Sequence, residues 1–490
     1  MSNSPDRGEE TPPPMAIADR LEILRNAIKK TAPYTAGVRP VKPEDLVIYY
    51  NVNVEDNIDN ASDEALKDLA AACQKATFGL NQNDVLDETY RKAGKMDLNQ
   101  FATRLDVVSS ALVAVISPGI MQAYARHDDK TLIAELYKLN VYGPGSFFKA
   151  HQDTPRSNSM IGSLVVVFPT SHKGGELTLE HDGTVWAFDS ATEIAEAANS
   201  SSVAYVAFYS DVIHTVQPVM SGYRVTLTYN LFLREDSAIG LDGGTLLSYH
   251  SQHPDVIFEN TLEALLADAE FLPNGGLLGF GLSHQYPIPS DERYNRLEPL
   301  LDMLKGSDAR IRAVAQRLNL ETNLKILYDS LGDKASDEGV GIGQDVLTDD
   351  VLYLDDWAED QNNDSLQYEI EHRGTLLERD DERFEETYGR RGWTREEDEE
   401  AFRRSPRPRT AIHWVTKINE LNWALTRYVG QGNEAYMGFV YGNVALFVDV
   451  PAFGDGVRAF ETDSDEEEDK EEAGEIGEPA ETKVGDGDPE

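Results

Sequence analysis

One stretch decides the fold of this protein, and it reads Leu136-Tyr-Lys-Leu-Asn-Val-Tyr-Gly-Pro-Gly-Ser-Phe-Phe-Lys-Ala-His-Gln-Asp-Thr154. Near its end, His151 and Asp153 place an imidazole and a carboxylate two residues apart. Side chains alternate along a strand with period two, so both groups are expected to point to the same side. His214, further along the chain, can complete a set of two nitrogens and one oxygen. Such a set holds non-haem Fe(II) and leaves coordination positions open.

An arginine that could bind a carboxylate follows the candidate metal site in the sequence. Arg224 follows His214 by ten residues, on a predicted strand over residues 223–233. Its planar guanidinium can bind a carboxylate through two parallel hydrogen bonds. The other side chains of the strand alternate, with Thr226, Thr228 and Asn230 on the side of Arg224 and Val225, Leu227, Tyr229 and Leu231 on the other. The polar face suits the lining of a ligand cavity, although a face exposed to water would show the same alternation.

The region around these residues has the pattern of an all-β core. Between Ile133 and Leu233, short apolar runs are separated by glycine, proline and polar turns. Such closely spaced strands over about a hundred residues suit a double-stranded β-helix, a relative of the jelly roll. With helices expected on both sides of this core, the predicted fold class is α+β.

The ordered set of motifs resembles the Fe(II)- and 2-oxoglutarate-dependent dioxygenases, in particular the prolyl-4-hydroxylase-like branch and its fungal members. The residues that carry the resemblance span about a fifth of the chain and are Tyr142, Gly143, Phe148, His151, Asp153, Gly174, Gly175, Glu176, Leu177, His214, Gly222 and Arg224. A His-x-Asp pair alone occurs by chance, and it would then be two polar residues on a surface strand. The matching positions of His214 and Arg224 favour the metal site instead.

The resemblance implies that His151, Asp153 and His214 bind Fe(II). It further implies that 2-oxoglutarate chelates the iron, that Arg224 binds the distal carboxylate of this co-substrate, and that O2 takes the remaining position. The implied reaction hydroxylates a C–H group of a protein, with prolyl residues as one option, or of a small molecule. It releases succinate and CO2. Ascorbate is a further expected requirement. Ligation needs neutral imidazoles, so activity should fall as these histidines become protonated.

Two residues of the first strand are candidates for contacts with the co-substrate. Tyr142 offers a phenol that could donate a hydrogen bond, and Asn140 lies on the same face of the strand. Asn140 could equally be an ordinary strand residue. Asp211 is a rival carboxylate ligand near His214, but a turn or an acceptor for an imidazole is the favoured interpretation. The remaining scattered histidines lack a paired spacing and are predicted not to be ligands: His172, His181, His284 and His413.

Two other functions fit parts of the pattern. The motif Asn140-x-Tyr142 and its nine-residue gap to His151 also occur in nucleic-acid demethylases of the same chemistry. Those enzymes carry a second arginine six residues after the first, where this chain has Asn230. A jelly roll without activity, acting as a binding scaffold, is the second alternative. Such a scaffold would be expected to lack one of the three ligands.

Composition limits the possible partners and compartments. The chain of 490 residues has 87 acidic and 44 basic residues, for a net charge of -43. Such a surface repels phosphate backbones, so general nucleic-acid binding is not expected. A single cysteine, Cys73, excludes an internal disulfide framework, and neither a secretory signal nor a long apolar run is recognised. We therefore expect a cytoplasmic or nuclear protein without a membrane segment.

The predicted domain organisation has five parts. Residues 1–16 are expected to be disordered, residues 17–130 to form a mostly helical support, and residues 131–235 to form the oxygenase core. Residues 236–452 are expected to be a mixed α/β region with a charged insertion at about 355–409. Residues 453–490 form an acidic tail that is expected to be disordered.

Overall fold

A computed structural model describes residues 15–50, 54–80, 83–121, 130–197, 201–235, 255–289, 296–329, 345–350, 374–377, 409–416, 431–432, 439–442 and 444–459. Most of the predicted charged insertion, nearly all of residues 1–16 and the acidic tail after residue 459 lie outside these ranges, so those predictions stay predictions. Among the described helices, none has the length and apolar character needed to cross a membrane.

The prediction of a mostly helical N-terminal region is wrong. The elements described before residue 122 are α1 (Ile17–Ala27), β1 (Tyr34–Pro40), β2 (Val47–Tyr50), β3 (Val54–Asn57), α2 (Asp63–Ala72), β4 (Gln74–Lys75), β5 (Phe78–Leu80), β6 (Asn83–Val85), β7 (Arg91–Lys92), β8 (Gly94–Asp97), β9 (Phe101–Thr103) and α3 (Leu112–Ile120). A helix is predicted over residues 98–105, but β9 lies there and pairs antiparallel with β2. Phe101 and Leu105 fit a helical period, but pairing with a distant strand decides the backbone conformation.

The strands predicted between residues 133 and 233 are present. The elements of this region are β10 (Lys130–Tyr142), β11 (Phe147–His151), β12 (Met160–Val167), β13 (His172–Gly174), β14 (Leu177–His181), β15 (Thr184–Phe188), α4 (Ser190–Glu196), β16 (Ser202–Tyr209), β17 (Ile213–Val216), β18 (Val219–Gly222) and β19 (Arg224–Glu235). Helix α4 covers the first part of the stretch from Ala191 to Ser202, which is predicted as a loop. Asp189 caps this helix by accepting hydrogen bonds from the backbone N–H groups of Ala191 and Thr192.

Two sheets from this region enclose a cavity. The larger sheet has the strand order β1-β16-β12-β19-β10-β8-β4, and the smaller sheet has the order β15-β14-β17-β11-β7. Strands β10 and β19 pair antiparallel from Lys130 opposite Glu235 to Tyr142 opposite Arg224. The cavity is lined by residues of both sheets, for example Thr226 of β19 and Val216 of β17.

Polar and apolar side chains alternate along β19, and the two sets point to opposite sides of the sheet, as the sequence predicts. Leu227 and Leu231 are fully buried in the hydrophobic core behind the sheet. Arg224, Thr226 and Thr228 point the other way and line the cavity. The structure therefore decides between the two interpretations of the polar face, in favour of a cavity lining.

The C-terminal region has its own sheet and its own hydrophobic core. Its elements are α5 (Val256–Ala267), β20 (Gly276–Gly281), β21 (Tyr286–Pro289), α6 (Gly306–Arg317), β22 (Thr322–Asp329), β23 (Asp345–Thr348), β24 (Thr375–Leu377), β25 (Arg409–Thr410), β26 (Ile412–Thr416), β27 (Gln431–Gly432), β28 (Phe439–Gly442) and β29 (Ala445–Val450). Seven of these strands form a sheet in the order β25-β24-β23-β22-β29-β20-β26. The stretch Glu298–Met303, predicted as an α-helix, is a 3-10 helix.

Helix α1 belongs to this second core, although the sequence places it in a support for the first. Leu21 and Leu24 are buried in one cluster with Phe258 and Leu262 of α5. Arg20 strengthens the contact through an ion pair with Asp268, at 3.1 Å. The apolar stripe of α1 is correctly predicted, but its partner is a helix more than two hundred residues further along the chain.

The folded part of the chain extends beyond the predicted start of the acidic tail at residue 453. Arg458 is 5% exposed, and its guanidinium donates hydrogen bonds to the backbone carbonyls of Leu266, Asp268, Phe271, Leu272 and Pro451. This one side chain therefore holds the end of α5, the turn that follows it and the end of β29.

Replacing Arg458 with methionine should destabilise the protein strongly. Hydrogen bonds to a charged group contribute about 1.5–3 kcal/mol each, and several carbonyls would lose their donor at once. We expect the free energy of unfolding, measured by urea denaturation, to fall by at least about 3 kcal/mol. The control is removal of residues 461–490, which carry fifteen acidic residues and two lysines. That deletion should leave the unfolding midpoint unchanged, and equal effects of both changes would contradict the prediction.

Candidate active site

The three predicted metal ligands come together at one end of the smaller sheet. His151 ends β11 and lies directly opposite His214 of β17. Asp153 is two residues past the end of β11, and its backbone N–H donates to the carbonyl of Ser210 at 3.2 Å. The prediction that His151 and Asp153 share one strand is therefore wrong for Asp153. Its carboxylate reaches the same side because the chain leaves the sheet and is held by the neighbouring loop.

The ligand atoms of this triad are close enough for one metal ion. One ligand atom from each of the three residues lies within 4.8 Å of the others, and His214 Nε2 is 3.8 Å from Asp153 Oδ1. All three residues are buried, with exposed fractions between 4% and 7%. Two imidazoles and one carboxylate are a donor set that suits Fe(II). The residues present thus fit the metal that the sequence predicts.

Backbone carbonyls set the tautomer of both histidines. His151 Nδ1–H donates to the carbonyl of Lys149 at 2.7 Å, and His214 Nδ1–H donates to the carbonyl of Val212 at 3.0 Å. A carbonyl can only accept, so each proton is on Nδ1 and each Nε2 has a free lone pair. Burial, and next the neighbouring imidazole of His214, hold the pKa of His151 well below its ordinary value. His151 is therefore kept in the neutral form that a metal requires.

The carboxylate of the triad is oriented by a serine of the larger sheet. Ser163, on β12, donates a short hydrogen bond from its hydroxyl to Asp153 Oδ2. Asp153 Oδ1 is the oxygen that faces His214. One carboxylate oxygen is thus held by the protein, and the other faces the metal position. No sequence motif links Ser163 with Asp153, so this hydrogen bond could not be predicted from the sequence.

Arg224 lies in the same cavity and is almost completely buried. Its exposed fraction is 2%, and its Nε has no hydrogen-bond partner among the described residues. Desolvation lowers the pKa of Arg224, which shows the cost of burying this cation. A carboxylate ligand would relieve that cost through charge-assisted hydrogen bonds. The orphaned Nε is therefore an observation that fits a dicarboxylate co-substrate.

Gly175, the second glycine of the Gly174-Gly175 motif, makes room for Arg224. Both glycines have a positive φ, 73° and 75°, as expected of a turn. A Cβ on Gly175 would lie 2.9 Å from Cδ of Arg224. Any side chain at this position would therefore push the arginine out of its place.

The structure brings Asn140 and Tyr142 into the cavity as predicted, and it gives Asn140 two partners. Its Nδ2 donates to Oγ1 of Thr228 at 3.2 Å, and its Oδ1 accepts from Nη2 of Arg91 at 3.0 Å. The Tyr142 ring centroid is 5.6 Å from Cζ of Arg224. Tyr142 therefore lies beside the candidate carboxylate site, whereas the amide of Asn140 is already bound by the protein.

Arg91 is a cavity residue that sequence reasoning missed. It is 4% exposed and comes from β7, which pairs with β11 at Phe148. Its guanidinium lies 4.3 Å from the Phe148 ring centroid, and that ring stacks on His151 with centroids 3.4 Å apart. The stacked Phe148 ring thus helps to hold the His151 ring in place. No motif marks Arg91, because it is distant in the chain and its strand has only two residues.

The cavity comprises about 560 Å³ of space and is open in part to solvent. Besides the triad and Arg224, its lining includes Arg91, Tyr137, Lys138, Asn140, Tyr142, Phe148, Ser163, Val165, Leu177, Phe208, Val216, Thr226 and Thr228. Lys138, a cation also buried at 5% exposure, approaches Asp97 at 3.9 Å. A metal position and several buried cations thus share one cavity.

A second cluster of two histidines and one carboxylate lies behind the triad. Ligand atoms of three residues lie within 4.8 Å of one another, namely His181, Asp211 and His284. The spacing of these two histidines in the sequence did not indicate a cluster. Lys305 already supplies a positive charge there, with its Nζ 2.9 Å from Asp211 Oδ1. Burial alone would raise the pKa of Asp211, but Lys305 and His284 outweigh it and hold that pKa well below its ordinary value. The predicted role of Asp211 as an acceptor for an imidazole is met by His284, whose Nδ1–H donates to Asp211 Oδ2 at 2.9 Å.

Comparison with known proteins agrees with the geometry of the cavity. Residues 137–232 match the sequence model of the 2OG-Fe(II) oxygenase superfamily. A search of curated proteins finds no match. Among solved structures, a prolyl-4-hydroxylase from Pseudomonas putida is similar, with 17% identity, a TM-score of 0.26 and coverage of 44% of this chain and 98% of that one. A prolyl hydroxylase from Trichoplax adhaerens, solved with a peptide of hypoxia inducible factor, has 16% identity, a TM-score of 0.26 and coverage of 44% and 91%.

Residues 137–232 thus carry a 2OG-Fe(II) oxygenase domain, and the mixed α/β protein contains the jelly-roll fold that this domain implies. This match defines the segment as an oxidoreductase domain of the 2-oxoglutarate-dependent dioxygenase type. The family implies that Fe(II) is the metal cofactor of this cavity and that 2-oxoglutarate and O2 are its co-substrates.

Proposed function

We propose that this enzyme hydroxylates a C–H group of a protein or small-molecule substrate, with release of succinate and CO2. Within that class, a prolyl residue of a protein is the substrate that the sequence motifs favour, in the prolyl-4-hydroxylase-like branch and near its fungal members. We further infer that the two cavity-forming sheets close as a double-stranded β-helix. The carrying observation is that Arg224, whose Nε lacks a hydrogen-bond partner in the part of the chain that the structure describes, shares one cavity with the triad His151, Asp153 and His214.

The bound iron and 2-oxoglutarate supply the oxidising power, since one O2 is consumed as 2-oxoglutarate is split to succinate and CO2 and the substrate C–H becomes C–OH. The contributions of the chain are positional. His151 and His214 present Nε2 because backbone carbonyls hold their Nδ1 protons. Asp153 presents Oδ1 because Ser163 binds Oδ2. Arg224 binds the distal carboxylate of the co-substrate, with Tyr142 beside it.

The pattern of buried charge favours the enzyme over a scaffold without activity. A scaffold gains nothing from burying the Arg224 guanidinium with an Nε that has no hydrogen-bond partner among the described residues, because such burial is costly unless an anion joins it. A nucleic-acid substrate is disfavoured by the net charge of -43 and by Asn230 at the position of a second arginine. We therefore propose a substrate other than a nucleic acid. We also propose a location in the cytoplasm or nucleus.

The test of this function is succinate release with Fe(II), 2-oxoglutarate and ascorbate, first alone and then with a panel of prolyl peptides and metabolites. We expect slow turnover of 2-oxoglutarate without substrate and a clear stimulation by one class of substrate. Omitting ascorbate in parallel tests whether it is needed. Stimulation by methylated oligonucleotides alone would replace the proposal with a demethylase, and no turnover at all would support the scaffold.

A further inference from the structure

The metal-binding stretches are held by residues of the C-terminal region, outside the matched oxygenase segment. Two stretches deliver the triad: residues 151–153, which begin at the last residue of β11, and residues 210–214, which run from the end of β16 into β17. These stretches are contacted by side chains of the C-terminal region, which come from the two residues before β21, from β28 and from the residue before α6. Strands β21 and β28 pair with each other, with Pro287 opposite Tyr441, so these side chains come from one small unit.

Tyr441 joins the two stretches directly. Its hydroxyl lies 2.7 Å from the carbonyl oxygen of Asp153 and 2.8 Å from that of Ser210. Tyr441 is 5% exposed, and its hydroxyl is the donor in both contacts because a carbonyl oxygen can only accept. One shared proton thus binds the backbone of a metal ligand to the backbone of the loop that leads to His214.

A buried ionic cluster fixes the second stretch from the same side. Lys305 Nζ is 2.9 Å from Asp211 Oδ1 and 3.0 Å from the carbonyl oxygen of Gln285. The other oxygen, Asp211 Oδ2, accepts from His284 Nδ1–H at 2.9 Å and from the backbone N–H of Gln285 at 3.1 Å. The carboxylate is thus bound by three donors, all supplied by the C-terminal region. Lys305 itself is 1% exposed, so water does not screen this ion pair.

A third contact comes from the first stretch itself. Gln152, between two ligands of the triad, donates from Nε2 to the backbone carbonyl of Asp211 at 2.6 Å and to Oε1 of Gln285 at 3.0 Å. Residues 151–153, residues 210–214 and the C-terminal unit therefore share one continuous hydrogen-bonded network.

We infer that the C-terminal clamp, which we define as Tyr441, Lys305 and His284, positions the metal ligands, with Tyr441 as the positioning residue nearest to them. This inference rests on the proposed function of the triad. Metal affinity depends on ligands that are held in place before the metal binds, and outer partners of ligands supply much of that order. Asp153 benefits from such support in particular, because it lies outside β11 and its backbone N–H is bound by the carbonyl of Ser210, in the loop after β16. Through the clamp, the C-terminal region contributes to metal binding by the oxygenase segment, although it lies outside that segment.

The test is the affinity of the Tyr441→Phe variant for Fe(II) alone, measured by anaerobic equilibrium dialysis without 2-oxoglutarate. Phenylalanine keeps the ring in its packing and removes only the shared donor. Since changes in the outer partners of metal ligands typically cost about tenfold to a hundredfold in affinity, we expect a loss of that size. At saturating iron, the constant for 2-oxoglutarate should be unchanged, because Arg224 is untouched. A loss of iron affinity without loss of co-substrate affinity is a result that general destabilisation would not give.

The matched control is Thr348→Val in the C-terminal sheet. Thr348 is 3% exposed and also donates from a buried hydroxyl to a backbone carbonyl, that of Asp350 at 2.9 Å. The Thr348→Val protein should lose about as much stability as the Tyr441→Phe protein, and it should bind Fe(II) with wild-type affinity. Wild-type affinity in a folded Tyr441→Phe protein would overturn the clamp alone. Absence of iron binding by the wild-type protein would overturn the proposed function and the clamp together.

Discussion

Replacing Asp153 or His151 with alanine is expected to abolish iron binding and, with it, the slow turnover of 2-oxoglutarate in the absence of substrate. Each change removes one of three ligand atoms that lie within 4.8 Å of one another. Changes one layer further out already cost about tenfold to a hundredfold, so loss of a ligand itself should weaken iron affinity by more than about a hundredfold. The measurements are iron content after anaerobic loading and succinate release, both compared with the wild-type protein.

His172→Gln is the matched control for these variants. His172 is 8% exposed and, like the two histidines of the triad, it donates from Nδ1–H to the carbonyl two residues earlier, here Thr170 at 2.8 Å. It is outside the triad, so its replacement should cost stability and leave the iron content unchanged. Equal iron content in wild type, His151→Ala and Asp153→Ala would show that the triad is not the metal site.

The second large effect concerns the anchor for the co-substrate. Arg224→Lys keeps a positive charge but loses the planar group that can make two parallel hydrogen bonds. A charge-assisted hydrogen bond contributes about 1.5–3 kcal/mol. With about 1.4 kcal/mol for each factor of ten, loss of one such bond should raise the dissociation constant of 2-oxoglutarate by about tenfold to a hundredfold. Iron binding should survive, because the three ligands are untouched.

Two controls make this experiment specific for the distal carboxylate. Arg234→Lys changes an exposed arginine near the other end of the same strand and should leave the constant unchanged. 2-Oxobutyrate has the oxo-acid end of 2-oxoglutarate but no distal carboxylate, so wild type and Arg224→Lys should bind it equally. An unchanged 2-oxoglutarate constant in a folded, iron-loaded variant would reject Arg224 as the anchor, and Lys138 would become the next candidate.

The errors in the sequence-based prediction have a common cause. The helix predicted over residues 98–105 and the assignment of α1 to the first core both rest on short apolar patterns. Such patterns show that a segment has an apolar side, but they do not say which part of the chain covers it. Phe101–Thr103 became a strand because β2 was available for pairing, and α1 joined the second core because α5 offers an apolar face. In both segments a distant partner decided the outcome.

The sequence by itself determined the candidate chemistry of this protein. The order of His151, Asp153, His214 and Arg224 and the alternation along β19 were enough to place a metal site and a carboxylate anchor in one β-rich core. This succeeds because strand periodicity is local and fixes which side chains share a face. Only the tertiary structure decided how the site is supported. Arg91, Ser163, Lys305 and Tyr441 reach it from distant parts of the chain, and contacts that form only when the chain folds leave no local pattern in the sequence.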